Sequence, residues 1–202
     1  MMTRRLLISA ALATAMVGFA QPGSAQRPLT LDDQLLVARV QGYLDGLTTL
    51  QARFSQISPD GEVVQGDFYL QRPGLMRLEY DTEPYLYVAN GRFIYFYDEA
   101  MGSRSNTEIG ETLADFILRE DVRLSGNVTV MDIRSDPQAI QLDLIQTQDP
   151  TAGQMTLIFD ADPIALSSWV VIDAQYQTTQ VILDEIERDI DIPRSLFRAP
   201  EP

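Results

Sequence analysis

The stretch Gly66-Asp67-Phe68-Tyr69-Leu70-Gln71-Arg72-Pro73-Gly74-Leu75-Met76-Arg77-Leu78-Glu79-Tyr80 carries the pattern that decides the fold. Residues 62–71 read as a strand, with Phe68 and Leu70 on one face and Asp67, Tyr69 and Gln71 on the other, the period of two expected of a half-buried strand. Pro73-Gly74 is a turn, because proline presets its own φ and glycine accepts a positive one. Residues 75–80 return, with Met76, Leu78 and Tyr80 on one face.

The same rhythm extends in both directions. Upstream, Leu50, Ala52, Phe54 and Gln56 alternate, and Pro59-Asp60-Gly61 supplies a turn. Downstream, segments 85–89 and 92–97 flank Asn90-Gly91, a strong hairpin signal because both residues tolerate positive φ. Further strands are expected at 127–134, 139–145, 154–159, 168–173 and 178–186, with turns at Asp136-Pro137, 150–153 and Asp162-Pro163. Strands at this close, regular spacing predict one sandwich or barrel domain. Two segments break the rhythm. Thr30 is placed to cap a helix over 31–48, with Asp32 and Asp33 in its first turn, where the helix dipole favours negative charge. Residues 110–118 read as a short helix, with Leu113, Phe116 and Ile117 on one side.

The first residues have a different origin. Arg4-Arg5, an apolar run from Leu6 to Ala20 and the small residues Gly23-Ser24-Ala25 follow the order of a secretory signal peptide. The expected division is a signal at 1–25 and a single exported domain at 26–202. The chain contains no cysteine and no histidine, and all its basic residues are arginine. Disulfides, Ser-His-Asp and Cys-His arrangements, histidine-based zinc sites and lysine Schiff bases are thereby excluded. No catalytic residue, metal or other cofactor is expected. Asp and Glu number 29 against 15 basic residues, a field that repels nucleic acid and keeps a monomer soluble. Carboxylates at Glu79, Asp81 and Glu83, or at Asp184, Glu185 and Glu187, invite a hydrolase reading, but like charges on an outer face are ordinarily solvated.

The informative residues are apolar. Phe68, Leu70, Met76, Leu78, Tyr80, Tyr85, Tyr87, Phe93, Tyr95 and Tyr97 crowd consecutive strands, and Leu86, Val88, Ile94 and Phe96 occupy the opposite faces. Patterning alone is compatible with an ordinary two-sided core or with a cavity, since periodicity does not distinguish a filled interior from one that receives a ligand.

The residues quoted at the outset, with Phe54-Ser55-Gln56 before them and Pro84 after, resemble the outer-membrane lipoprotein carrier protein family, LolA. Asn90-Gly91-Arg92 leading to Phe96-Tyr97-Asp98 resembles its next hairpin, and Ile192-Pro193-Arg194-Ser195-Leu196-Phe197 with Pro200 its closing segment. Leu78 and Tyr95 depart from the family, standing where tryptophan is frequent. The resemblance implies a mainly β fold: an incomplete antiparallel barrel, or half-barrel, whose apolar concave face is covered by a helical lid made here of 110–118 and the N-terminal helix. It implies a periplasmic carrier that takes acylated lipoproteins from an inner-membrane ABC transporter to an outer-membrane acceptor of LolB type. Arg72 becomes the expected lid latch, bonding lid carbonyls in the empty form. The cavity residues expected are Phe68, Leu70, Met76, Leu78, Tyr80, Phe93, Tyr95 and Phe116. A lipid- or glycolipid-binding or lipid-sensing protein on the same half-barrel is the alternative.

Overall fold

The computed structural model describes residues 28–198 except Leu113; the expected signal peptide lies outside the described residues. Helix α1 (Leu31–Gly46) starts at the expected cap, where Thr30 and Asp33 form a reciprocal capping box. Among the described residues eleven strands follow: β1 (Thr49–Ile57), β2 (Val63–Gln71), β3 (Leu75–Tyr80), β4 (Tyr85–Asn90), β5 (Phe93–Asp98), β6 (Ser103–Glu108), β7 (Val128–Ser135), β8 (Ala139–Gln146), β9 (Gly153–Ala161), β10 (Ile164–Asp173) and β11 (Thr178–Arg188). Between β6 and β7 lie a 3-10 turn at Ile109–Glu111 and a one-turn helix, α2 (Asp115–Leu118), and a second 3-10 turn at Arg194–Phe197 follows β11.

All eleven strands form one antiparallel sheet in the order β6-β5-β4-β3-β2-β1-β11-β10-β9-β8-β7. Two meanders, β1 to β6 and β7 to β11, are joined along β1 and β11. β6 and β7 remain as free edges, so the barrel is incomplete. Curvature is visible in the packing. Neighbouring strands lie about 4.8 Å apart, so in a flat sheet β3 and β9, five positions apart, would be separated by about 24 Å. Leu78 of β3 and Leu157 of β9 instead line one small cavity. The Phe68 and Trp169 rings, from β2 and β10, approach to 5.5 Å between centroids.

One face of this curved sheet carries the main core. Phe54, Phe68, Leu70, Leu142, Leu157, Phe159 and Leu166 are almost wholly buried there with Val40 and Leu44 of α1 and with Phe116, Ile117 and Leu118 of α2. Gly66 belongs to that core for a steric reason: a Cβ at this position would meet the Glu79 carbonyl oxygen at 2.0 Å and the Phe54 ring at 2.8 Å. A second, small cluster of Leu86, Val88 and Tyr97 lies on the convex face. The C-terminal 3-10 turn folds against β3 and β4, burying Phe197, and Arg77 donates to the Leu196 carbonyl at 3.2 Å.

Two elements differ from the sequence expectation. The helix expected over 110–118 is broken into the 3-10 turn and α2. β6 has no counterpart in the expectation, because Ser-Arg-Ser-Asn-Thr-Glu carries no apolar alternation and all six residues are exposed along the sheet edge.

Candidate functional site

Strand register decides which side chains reach the concave face. β2 and β3 pair Phe68 with Leu78 and Leu70 with Met76; β3 and β4 pair Leu78 with Tyr87 and Met76 with Ala89; β4 and β5 pair Tyr87 with Phe96 and Ala89 with Ile94. Phe68, Leu70, Met76, Leu78, Tyr80, Tyr87, Ile94 and Phe96 therefore share the concave face. A cavity of about 260 Å³ lies between this face and α2, lined by Phe68, Met76 and Leu78 on one flank, Met155, Leu157, Trp169 and Val171 on the other, and Ala114 and Ile117 above. Among the described residues no charged side chain lines it. A neighbouring hollow of about 440 Å³ continues from Met76 and Ala114 toward Tyr87, Ile94, Phe96 and Thr112. Burial pushes the phenols of Tyr80 and Tyr87 up from their ordinary value, so both are neutral. Tyr80 donates its hydroxyl hydrogen to Gln56 Oε1 at 2.8 Å, which satisfies its polar end.

Of the expected cavity residues, Phe68, Met76 and Leu78 line the apolar chamber. Leu70 points the same way but is fully buried in the packed core, and Tyr80 spends its ring on Phe54, at 5.1 Å between centroids, with Tyr85 and Tyr87 beyond. Phe116 is buried on α2 and borders a separate polar hollow, while Ala114 and Ile117 form the roof of the chamber. Phe93 and Tyr95 are corrected: they project from the convex face. Tyr95 pairs with Val88 and Tyr97 with Leu86, one residue out of phase with the inward set, and a shift of one reverses the face. Their rings instead meet each other, with Arg92 over Phe93 and Arg104 over Tyr95. Trp169, Met155, Leu157 and Val171 were missed. They alternate visibly in β9 and β10, but only the β1–β11 pairing brings those strands around to face β2 and β3.

The turn between β2 and β3 fastens both helices. The Arg72 guanidinium donates through Nη2 to the Leu44 carbonyl in the last turn of α1, and the Arg72 amide donates to the Thr48 carbonyl at 2.8 Å. Two residues on, the Gly74 amide donates to the Leu118 carbonyl of α2 at 2.7 Å, and the Gly74 carbonyl accepts from Gly91 at 2.8 Å. Glycine is required there: φ is +77°, and a Cβ would lie 2.6 Å from the Gly91 Cα. Burial lowers the Arg72 pKa while nearby Asp45 opposes the shift; an arginine retains its charge through such a change. Among the described residues, Arg72 Nε, Gln71 Oε1 and Tyr43 Oη are buried without a hydrogen-bond partner. The foot of α1 is thus held, but not to the limit of its hydrogen-bonding capacity.

The carboxylates of the β2–β3 hairpin are engaged in ion pairs. Arg53 bridges Asp67 and Asp81 and holds Asp81 below the usual carboxylate range. Glu79 is paired with Arg77 at 2.8 Å. Hydrogen bonds from Gln138 and Ala139, and from Thr151, lower Asp136 and Asp149 in the same direction. Among the described residues no group of three or more His, Cys, Asp or Glu side chains could hold a metal ion.

A family model described as outer membrane lipoprotein carrier protein LolA matches residues 45–200. An outer-membrane lipoprotein carrier protein from Methylococcus capsulatus is 37% identical over 106 residues, covering 47% of this chain and 50% of that protein. One from Azotobacter vinelandii is 40% identical over 72 residues, 33% of this chain and 35% of that protein. The matched part thus spans half or less of these curated relatives. Among solved structures, a LolA superfamily protein from Nitrosomonas europaea superposes with a TM-score of 0.46 at 11% identity, covering 82% of this chain and 97% of that one. Lipoprotein LppX from Mycobacterium tuberculosis superposes with a TM-score of 0.42 at 15% identity, covering 80% and 100%.

Proposed function

The chain belongs to the LolA family of outer-membrane lipoprotein carrier proteins, and from that premise we propose that it is a periplasmic, non-enzymatic carrier that shields the acyl chains of lipoproteins in transit. In this reading residues 1–25 are an export signal and 26–202 a single carrier domain. Cargo arrives from an inner-membrane lipoprotein-releasing transporter and passes to an outer-membrane acceptor. The observation that carries the proposal is the chamber beneath α2, roofed by Ala114 and Ile117, with no charged side chain along its wall among the described residues.

Physical chemistry supports a carrier. An acyl chain of about 15 methylenes costs on the order of 12 kcal/mol to expose to water, at about 0.8 kcal/mol per group. An unescorted lipoprotein therefore leaves a membrane at a negligible rate. The chamber, at about 260 Å³, falls just below the roughly 300–1,000 Å³ of ordinary ligand pockets, so loading a long acyl chain requires the roof to rise. The turn at 72–74 restores closure when the cargo leaves. Its hydrogen bonds to the Leu44 and Leu118 carbonyls reform as acyl chains depart, offsetting part of their binding free energy and favouring release.

The test is reconstitution. Spheroplasts or inner-membrane vesicles incubated with the mature protein should release lipoproteins as soluble one-to-one complexes, which then transfer to outer-membrane vesicles bearing an acceptor. Release of free phospholipid alone, with lipoproteins left in the membrane, would replace this reading with a lipid-binding one.

A further inference from the structure

The lid segment does not cover apolar space alone. On the side of α2 away from the chamber lies a hollow of about 180 Å³, bordered by Gly110, Thr112, Asp115, Phe116, Arg119, Asn127, Val128, Gln146 and Gln148. Its polar groups are mostly uncharged, and its one cation is already neutralised. Arg119 is salt-bridged to Asp115 one helical turn earlier. With its Oδ1 turned toward the guanidinium, Asn127 accepts from Arg119 Nη2 at 3.1 Å. The side-chain amides of Gln146 and Gln148 make no hydrogen bond among the described residues, so their donors and acceptors are available to a ligand.

The three hollows share walls. Thr112 borders both the polar hollow and the middle one, and Met76 and Ala114 border both the middle one and the apolar chamber. Polar and apolar space thus form a series wrapped around residues 110–119. A ligand with greasy tails and a polar head would place its tails under Ala114 and Ile117 and its head beside Gln146 and Gln148.

We propose that this polar hollow is a head-group site that takes a neutral, carbonyl-rich head, namely the ester and amide groups of a diacylglyceryl-modified cysteine and its first peptide bonds, and that it disfavours the phosphate of a phospholipid. The proposal deepens the carrier reading and rests on it. Neutral amide donors and acceptors match ester and peptide carbonyls. A phosphate would need an unspent cation: binding one would break the Arg119–Asp115 pair and leave the Asp115 carboxylate beside the anion, a like-charge contact that lowers affinity.

The experiment compares two probes with identical acyl chains, so that only the heads differ: a synthetic diacylglyceryl-cysteine lipopeptide and phosphatidylglycerol, each titrated into the mature protein below its micelle concentration. The wild-type protein should favour the lipopeptide by roughly tenfold or more, the scale of one or two neutral hydrogen bonds together with an avoided like-charge contact. Gln146→Leu combined with Gln148→Leu should lower lipopeptide affinity by roughly tenfold while phosphatidylglycerol affinity holds or rises. The exposed Gln148→Leu alone should show a smaller change in the same direction, with an unchanged melting temperature. Equal wild-type affinities, or a lipopeptide preference that survives the double substitution, would overturn the head-group site and leave the carrier reading standing. Failure of both probes to bind would overturn both.

Discussion

Helix α1 and helix α2 both close the concave face, and they are held differently. α1 runs sixteen residues, begins with a capping box and buries Val40 and Leu44. Its Gln41 side chain donates to the Val122 carbonyl, at 2.5 Å, and accepts from the Leu124 amide at 2.9 Å, while Arg72 holds its last turn. α2 is a single turn of four residues with no side-chain cap. An isolated turn has almost no helical stability of its own, so α2 stays in place through Phe116, Ile117 and Leu118 beneath it, the Gly74 amide and the contact of Arg119 with Asn127. α1 is a strut and α2 a flap. Opening by α2 needs its apolar contacts, the Gly74 clip and the Arg119–Asn127 contact to yield, whereas moving α1 would unmake its cap, both Gln41 bonds and the arginine contact together.

Substitutions can break this contrast or sharpen it. The largest effect is expected from Met76→Glu. Met76 is buried between the chamber and the middle hollow, and an unpaired charge there costs about 3–5 kcal/mol. Hydrating the carboxylate lifts α2, so hydrogen exchange should accelerate at Phe116–Leu118 and not in α1, and lipoprotein uptake should be lost. Exchange rising equally in both helices would erase the distinction between strut and flap.

Gly74→Ala comes next. The collision with Gly91 and the unfavourable φ should remove about 2–4 kcal/mol of unfolding free energy in urea titration and loosen both helices, because one turn clips both. Arg72→Leu separates them. It removes only the side-chain bond to Leu44, a charge-assisted contact of about 1.5–3 kcal/mol. Exchange should rise at the end of α1 while α2, still held by the Gly74 amide, is little changed, and transfer of cargo to an acceptor should slow. The smallest effect is that of Thr30→Ala, which should cost about 1 kcal/mol by removing the cap. Its mark is fraying of the first turn of α1 in exchange experiments, with cargo uptake unaltered.

Much of this was legible in the chain. The hairpins at Pro73-Gly74 and Asn90-Gly91, the cap at Thr30 and the two interruptions of the β rhythm lie within a few residues of their observed places, because turn chemistry and capping are local. β6 was not legible, since an edge strand need bury nothing and Ser103–Glu108 buries nothing. Phe68, Met76 and Leu78 share a face by alternation and line one flank of the chamber. Phe93 and Tyr95 lie on the opposite face, which the chain did not reveal because β5 is apolar on both faces and alternation there has no polar partner to set its sense.

The chain by itself determined that consecutive strands would pair, which residues within one strand share a face, that cysteine, histidine and lysine chemistry is absent, and the kinship carried by the motif around Arg72. Tertiary structure alone decided which face is concave, that Trp169 and Met155 meet Phe68 and Leu78 across the chamber, and that one turn grips two helices. The reason is range. Turns, caps and alternation are set by residues a few positions apart, whereas curvature and enclosure depend on the pairing of β1 with β11, more than a hundred residues apart in the chain.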